Sequence, residues 1–432
     1  MTRTIDSADL KLQLREVFGK GFVPGHNGIV GTVAPQTEAE LRKLILCTRE
    51  SGVSLTPRGA GTSPFVGAVA SEGVILSFER LSAVIDIDQQ AELARVQPGV
   101  VWRELMNQLR PLGLMPRIHP SSAAYSTVGG FVAQGGVGVG SFQFGSIGDC
   151  VQSVRMLAGN GDTIELNGKS VGLAVGAEGR TGILVEVTLR LQPLAAMEPV
   201  VAVFSRVDEI EGCLANLARR ELPLWSISMM DRSAVDLQSK LRPDGFELPQ
   251  GRYAALFSFR VEDRKRVLPK LRGCILASGG KPIAGSADHD AWTDHFMGLQ
   301  ALGTTPVPMQ FRVPLGKLAE LAQAIQPELR RKLAFEGVMA GVAKSVTVRF
   351  FLTDRPETAE DNLLVAHELL RLAKQVGGEV HATGAVFLEE AEAVFGAEHL
   401  SKMILLGHAL DPDGRFNPGK AFEPEPPAAA RQ

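Results

Sequence analysis

Apolar residues three and four apart mark the first clear helix of the chain, Thr37 to Gly52. Leu41, Leu44 and Ile45 form one stripe, Thr37 and Glu40 make a capping box, and Gly52 stops the helix. A short strand, VSLTP, follows and runs into the turn PRGAGTS, while GVILSF at 73–78 has the unbroken apolar character of a buried strand. AVIDID and ELARVQ alternate like the arms of a hairpin joined through Gln89 and Gln90. Val101 to Leu112 returns to helical spacing, with Trp102, Leu105, Leu109 and Leu112 on one face. VQSVRMLAGNGDTIEL predicts two strands about an Asn160-Gly161 turn. Ile183, Val185, Val187, Leu189 and Leu191 then alternate along a strand that ends at Pro193. Past a boundary at Pro193–Pro199 come VVAVFSRV, a helix near 208–220, YAALFSFRV, a helix near 263–278, MQFRVPL and SVTVRFFLT. A long helix from Thr358 to Val376 carries Leu363, Ala366, Leu370 and Ala373 on one face and stops at Gly377-Gly378. Short strands and hairpins with interspersed helices, rather than a regular βαβ series, predict an α+β fold.

Composition narrows the picture. A chain of 432 residues has room for two or three domains and a large core. Its formal net charge of -3 and pI near 6.3 carry no electrostatic footprint for nucleic acid. No apolar run reaches the roughly 18 residues of a transmembrane helix, and the N-terminal MTRTIDSADLKLQLREVF reads as a short polar helix without the apolar region of a signal peptide. Cys47, Cys150, Cys213 and Cys274 are scattered, with no C-x-x-C pair, which argues against iron–sulfur clusters, structural zinc and a disulfide framework. The expectation is a cytoplasmic protein, with peripheral attachment to the inner face of a membrane as the alternative. There is no internal repeat, and residues 423–432 read as a disordered tail.

One stretch, His119 to Asp149, follows neither the helical nor the strand period and is rich in glycine. Gly136, Gly138 and Gly140 give G-x-G-x-G, but position 143 is Gln, so the dinucleotide fingerprint G-x-G-x-x-G is not completed. Sixty residues upstream, Pro57-Arg58-Gly59-Ala60-Gly61-Thr62-Ser63 offers consecutive backbone N–H groups, two permissive glycines and two hydroxyls, a nest suited to an anion or equally a plain strand-exit turn. Val128, Phe131, Val132, Phe142 and Phe144 are too apolar for a solvated linker. Two such loops suit an extended ligand lying across both, with a pyrophosphate in one and a planar ring against the other.

Order and spacing then bring a family into view. PRGAGTS, HPSSAAYSTVGG, GGVGVGSFQFGSIGDCV, GAEGRTGI and a strand ending LRLQP resemble the FAD-binding domain (PCMH type) of the vanillyl-alcohol-oxidase-like flavoproteins. LDPDGRFNPGK at 410–420 resembles the family's C-terminal signature, and within the family the chain is most similar to the glycolate oxidase and D-lactate dehydrogenase group. The resemblance implies a two-lobed FAD-binding domain over 1–195 (core 25–194), an inserted α+β substrate or cap domain over 196–404, and a return to the FAD domain at 405–422. It implies a pyrophosphate on Pro57, Arg58, Gly59, Ala60, Gly61, Thr62 and Ser63. The isoalloxazine and ribityl would lie along Pro120, Ser121, Thr127, Gly129, Gly130, Gly136, Gly140, Ser141 and Gly145. The adenosine would sit near Glu178, Gly182 and Ile183, with Asn417 and Lys420 near the ring. Members with covalent flavin often carry a histidine in the first loop; Thr62-Ser63 stands there, so the FAD is expected to be non-covalent.

The chain also departs from the group. Glycolate and lactate members carry a histidine-rich metal motif and a later E-H-G; the matching regions here are MAGVAKSVTVR (339–349) and HATGAVF (381–387), with Met339 where the first histidine would be. No metal is expected. HAT and RFNPGK resemble the smaller FAD subunit of multi-subunit glycolate oxidase. For oxidation of a 2-hydroxy acid, a site needs a cation for the carboxylate and a base near the α-hydroxyl. Arg312 in QFRVP is the expected anchor, with Arg349 as rival and a surface-paired sheet arginine as the plain alternative. His381 is the expected base, against an ordinary structural histidine. DHDAWTDHF (288–296) reads as a solvated helix start, since H-x5-H puts the rings on different faces. Two functions follow: an FAD-dependent oxidase or dehydrogenase of glycolate or lactate, or an FAD-bearing electron-relay or assembly subunit with an electron-acceptor or iron–sulfur partner. A site for another nucleotide is a third reading.

Overall fold

The computed structural model describes residues 7–241, 248–283, 299–300, 302–341 and 344–422; the tail at 423–432 and the DHDAWTDHF stretch lie outside them. Three sheets organise the chain. The first, of four strands, runs Phe22–Pro24, Ile29–Val33, Gly73–Ser77, Leu55–Arg58, with the first pair antiparallel and the other two parallel. A parallel pair needs a crossover, and the helix Glu38–Glu50 supplies it: Thr37 Oγ1 accepts from the Glu40 N–H at 3.1 Å, while Leu41, Leu44 and Ile45 are fully buried. The second sheet is antiparallel, Val84–Asp88, Leu93–Val96, Ile183–Pro193, Val151–Leu157, Thr163–Asn167, with Leu114–Pro116 pairing the far end of Ile183–Pro193. Leu157 and Ile183 at its edge pack into the core of the first sheet, which joins the two.

The third sheet is antiparallel, with eight strands in the order Lys281–Pro282, Met197–Phe204, Tyr253–Arg260, Leu224–Met230, Leu333–Ala340, Ser345–Leu352, Thr305–Pro314, Glu379–Val380. Alternation gives it two unlike faces. Val307, Met309, Phe311 and Val313 on one strand, and Val346, Val348 and Phe350 on its neighbour, point into an apolar core covered by the helices Val207–Ala218, Arg264–Ala277, Leu318–Ala324 and Ala359–Gln375. Their alternates Gln310, Arg312, Thr347 and Arg349 fall on the opposite face.

The α+β class read from the sequence is the observed one, with informative local differences. The hairpin at 84–96 turns over four residues, not two, because Glu92 takes a left-handed φ of 55°. Leu112 is exposed, since the helix Trp102–Leu109 tightens into a 3-10 turn at Arg110. The glycine-rich stretch holds three short helices, Val128–Ala133, Ser141–Phe144 and Ile147–Cys150; Thr127 and Ser146 cap the first and third. No helix among the described residues is long and apolar enough to cross a membrane.

One side chain links the first lobe to the third sheet. Phe65, from the loop after Leu55–Arg58, is buried in the helix-covered core of the third sheet, and its carbonyl accepts from Ala385 N at 3.2 Å. Removing it leaves a cavity inside a domain other than its own. Phe65→Ala is expected to cost about 3–5 kcal/mol, read as a lowered thermal midpoint in differential scanning calorimetry.

Candidate functional site

Between the first two sheets and the polar face of the third lies a cleft of about 1130 Å³, its open mouth included. Its floor is the meeting of the two glycine loops. A Cβ at Gly59 would stand 2.2 Å from Thr127 Oγ1 and 3.6 Å from Gly130 Cα, so only glycine permits this approach. Hydroxyls stitch the loops together: Thr62 Oγ1 to Ser126 Oγ at 2.8 Å, with Ser126 Oγ held in turn by Ser122 Oγ of its own loop at 2.5 Å, and Gln134 Nε2 donating to Ser63 Oγ at 2.6 Å. Pro57, Gly59, Ala60, Gly61, Thr62 and Ser63 line the cleft from one side, and Pro120, Thr127, Gly129 and Gly130 from the other. Arg58 is exposed and outside the lining, its guanidinium folded over Gly61.

The rest of the glycine stretch does something else. Gly136, Gly140, Ser141 and Gly145, expected along the ring, are absent from the lining, as is Ser121. A Cβ at Gly136 would strike the Phe131 ring, and one at Gly140 would meet the Arg117 carbonyl and Trp225 Nε1. Ser141 Oγ accepts from Gly138 N at 2.9 Å, and a Cβ at Gly145 would meet the Asp149 carboxylate. Trp225 Nε1 donates to the Arg117 carbonyl, and a Cβ at Gly341 would strike Phe142. Residues 136–145 are thus a joint pressed against the third sheet.

At the other end, Glu178, Gly182, Ile183 and Asn417 line the cleft. Glu178 takes a left-handed φ of 48° and is buried; burial pushes its carboxyl up to about 8, against the downward pull of Lys420 and the Gly384 N–H. Asn417 is held by its backbone N–H to the Leu55 carbonyl, and its Nδ2 donates to the Gly67 and Glu178 carbonyls at 3.1 and 2.6 Å. Arg180 Nη1 donates to the Phe416 carbonyl and the Asp411 carboxylate accepts from Phe416 N, fixing the returning segment. Lys420 stays outside the lining and acts on the cleft through Glu178.

The third sheet contributes Gln310 and Arg349. Arg349 is partly buried and paired to Glu336 at 2.8 Å; desolvation lowers its pKa and Glu336 opposes the shift. With its amide oxygen turned inward, Gln310 accepts from Arg349 Nη2 and Nε at 2.5 and 2.7 Å. His381 follows the edge strand and lies outside the lining, its backbone N–H bonded to the Gln310 carbonyl. Burial, then the charges of Arg312 and Arg349, push its imidazole down to about 4, with the Gly135 carbonyl opposing. Arg312 lies outside the lining and pairs with the half-exposed Glu379 at 2.9 Å. Met339 is buried in the helix-covered core, and among the described residues no cluster of three His, Cys, Asp or Glu could hold a metal.

Sequence reasoning missed Gln310, Gln134, Ser122, Pro98 and Gly67. Gln310 had a signal: it is two residues before Arg312 on one strand, hence on the same face. Ser122 and Gln134 were legible only as hydroxyl and amide within the right loop; their partners come from the other loop. Gly67 had no local signal, since its constraint is the Glu178 carboxyl, 1.9 Å from where a Cβ would stand.

The cleft fits a long ligand of rings and polar groups. Pro57, Phe78, Pro98 and Ile183 are apolar walls, while the buried Glu178 Oε2 and Asn417 Oδ1 find no partner in the protein. Residues 30–167 match the FAD binding domain family, and residues 195–421, more than half of the chain, match the C-terminal domain of FAD linked oxidases. The D-lactate dehydrogenase of Archaeoglobus fulgidus is 26% identical over 404 residues, covering 90% of each chain. Glycolate oxidase subunit GlcD of Bacillus subtilis is 23% identical over 420 residues, covering 90% of this chain and 88% of that one. In fold alone, a solved alkyldihydroxyacetonephosphate synthase superposes with a TM-score of 0.77 at 16% identity, over 94% of this chain and 84% of the other. The chain belongs to the FAD-linked oxidases, and its cofactor is FAD.

Proposed function

We propose that this chain oxidises a small 2-hydroxy acid such as glycolate or lactate. The observation that carries the reading is that Arg349 and Gln310 line the cleft opposite the glycine loops, with His381, just outside the lining, tied through its backbone N–H to the Gln310 carbonyl. FAD, when bound, supplies a two-electron acceptor for hydride from the carbon bearing the hydroxyl. Arg349 presents a planar donor set for the substrate carboxylate, and Glu336 and Gln310 hold that guanidinium in one orientation. His381 takes the hydroxyl proton on the ring nitrogen that is not turned to the Gly135 carbonyl. This moves the anchoring role from Arg312 to Arg349. Arg312, with Glu379, instead adds to the positive field that keeps His381 neutral. Thr62 and Ser63 in the first loop leave FAD held non-covalently, and four buried free cysteines suit a reducing cytoplasm.

The relatives of the GlcD type are named as subunits, which favours a second reading: an FAD-bearing subunit that turns over no substrate alone. Anaerobic mixing separates the two. Bleaching of the flavin band near roughly 450 nm by glycolate or D-lactate is the expected result for the isolated chain; bleaching only after a sister subunit is added supports the second reading.

Two further outcomes follow. Arg349→Gln in combination with Glu336→Gln, which leaves no buried unpaired charge, should raise the substrate concentration for half-maximal bleaching by about tenfold or more, with FAD content unchanged. His381 is depressed below its ordinary value, so its basic form is present above about pH 4 and is lost as pH falls through that value. The second-order rate constant for bleaching, which reports the free protein, should therefore show no loss through pH 6.5. A fall centred near 6.5 would remove His381 from the role.

A further inference from the structure

The described parts of the cleft contain one carboxyl group, and it has no use in the substrate chemistry: Glu178. Its side chain is enclosed from every side. The backbone N–H of Gly384 faces it from the segment after His381, and Lys420 from the returning C-terminal segment. Gly67 abuts its Oε2 from the first loop, and the Asn417 amide bonds its backbone carbonyl. Arg180, two residues along, is directed to the Phe416 carbonyl and the Phe422 ring. Among the described residues Lys420 is the cation acting on the carboxyl, and burial outweighs it. Gly384 supplies a donor to the group, yet Oε2 is buried, lines the cleft and has no partner in the protein. Beside it, Asn417 spends both described Nδ2 bonds on backbone carbonyls, which leaves Oδ1 as an unpartnered acceptor.

We propose that Glu178 holds the cofactor as a neutral acid, its O–H donating to an acceptor atom of bound FAD, so that FAD binding takes up a proton wherever the free carboxyl is ionised. The complementary acceptor is Asn417 Oδ1, and the pair suits a ligand portion that offers both an acceptor and a donor, as the aminopurine edge and the ribose hydroxyls of FAD each do. Buried polar groups without partners are costly, and the cofactor relieves both at once. An ionised Glu178 has no proton to give and leaves a buried charge facing the same acceptor. The carboxyl is pushed up to about 8, so the donor form dominates at neutral pH and is lost as pH rises through that region. The proposal rests on the cofactor and is independent of which substrate is oxidised.

The test is FAD affinity of the apoprotein between pH 6 and 9.5, followed by quenching of FAD fluorescence, with no turnover involved. Wild-type affinity should weaken by about tenfold above pH 8. Glu178→Gln, which keeps an N–H donor but cannot ionise, should bind FAD with an affinity flat across the range. A wild-type affinity that is itself flat overturns the proposal, as does a Glu178→Gln protein that keeps the wild-type pH dependence. The wild-type profile alone decides the matter if the variant fails to fold. Adenosine should compete with FAD more weakly at pH 9 than at pH 7 where the adenosine half is the portion held. Equal competition at both, alongside pH-dependent FAD binding, assigns the contact to the flavin half and equally supports the proton uptake.

Discussion

The cleft exists because two backbones touch. At Gly59 the first loop comes so close to Thr127 and Gly130 that no side chain could intervene. Hydroxyls of Thr62, Ser63, Ser122 and Ser126 then lock the two loops at that spacing. Everything else is arranged around this contact. The parallel first sheet aims Leu55–Arg58 into it, the cap of Val128–Ala133 turns the second loop away from it, and the third sheet closes over it with its polar face. A contact made of backbone and short hydroxyls sets a fixed width with little side-chain entropy to lose.

The third sheet shows how one sequence period serves two purposes. Alternate residues of Thr305–Pro314 and Ser345–Leu352 build an apolar core beneath four helices, and the intervening ones build a charged wall. Arg349 cannot be drawn partly out of water without an anion, and Glu336 on the neighbouring strand supplies it across the ladder. Desolvation offsets most of that pair's attraction, so it stabilises little, but it fixes a guanidinium in place. The Arg312–Glu379 pair at the sheet edge is half exposed, so it is screened and exchangeable. Position in the sheet, not residue type, distinguishes the two arginines.

That distinction explains what could be read from the sequence. The elements were legible wherever one period ran long enough: the Thr37-capped helix, the hairpin about Asn160-Gly161, and the long helix after Thr358. So was the cofactor, through the order of several loop motifs that resemble a flavin-binding family. Long-range constraints were not. Glycines at 136–145 look like those at 129–130 in sequence, yet they yield to Phe131, Arg117, Trp225 and Asp149 rather than lining the cleft. Arg312 and Arg349 look alike until strand register gives each its glutamate. Leu112 matched the helical period and was left outside when the helix tightened at Arg110.

Asn417 carries a last consequence. It completes the cleft by bonding to Glu178, a residue 239 positions earlier in the chain. On the ribosome, the loops at 57–63 and 119–134 emerge long before it, and the whole third sheet must be made and passed over in between. A nascent chain therefore carries an open half-site through most of its synthesis. The pairing of such distant segments is slow to form. Cofactor capture is in this sense a closing event of biosynthesis, and exposed glycine loops awaiting their final strand-end are the stage at which this fold is most dependent on protection from aggregation.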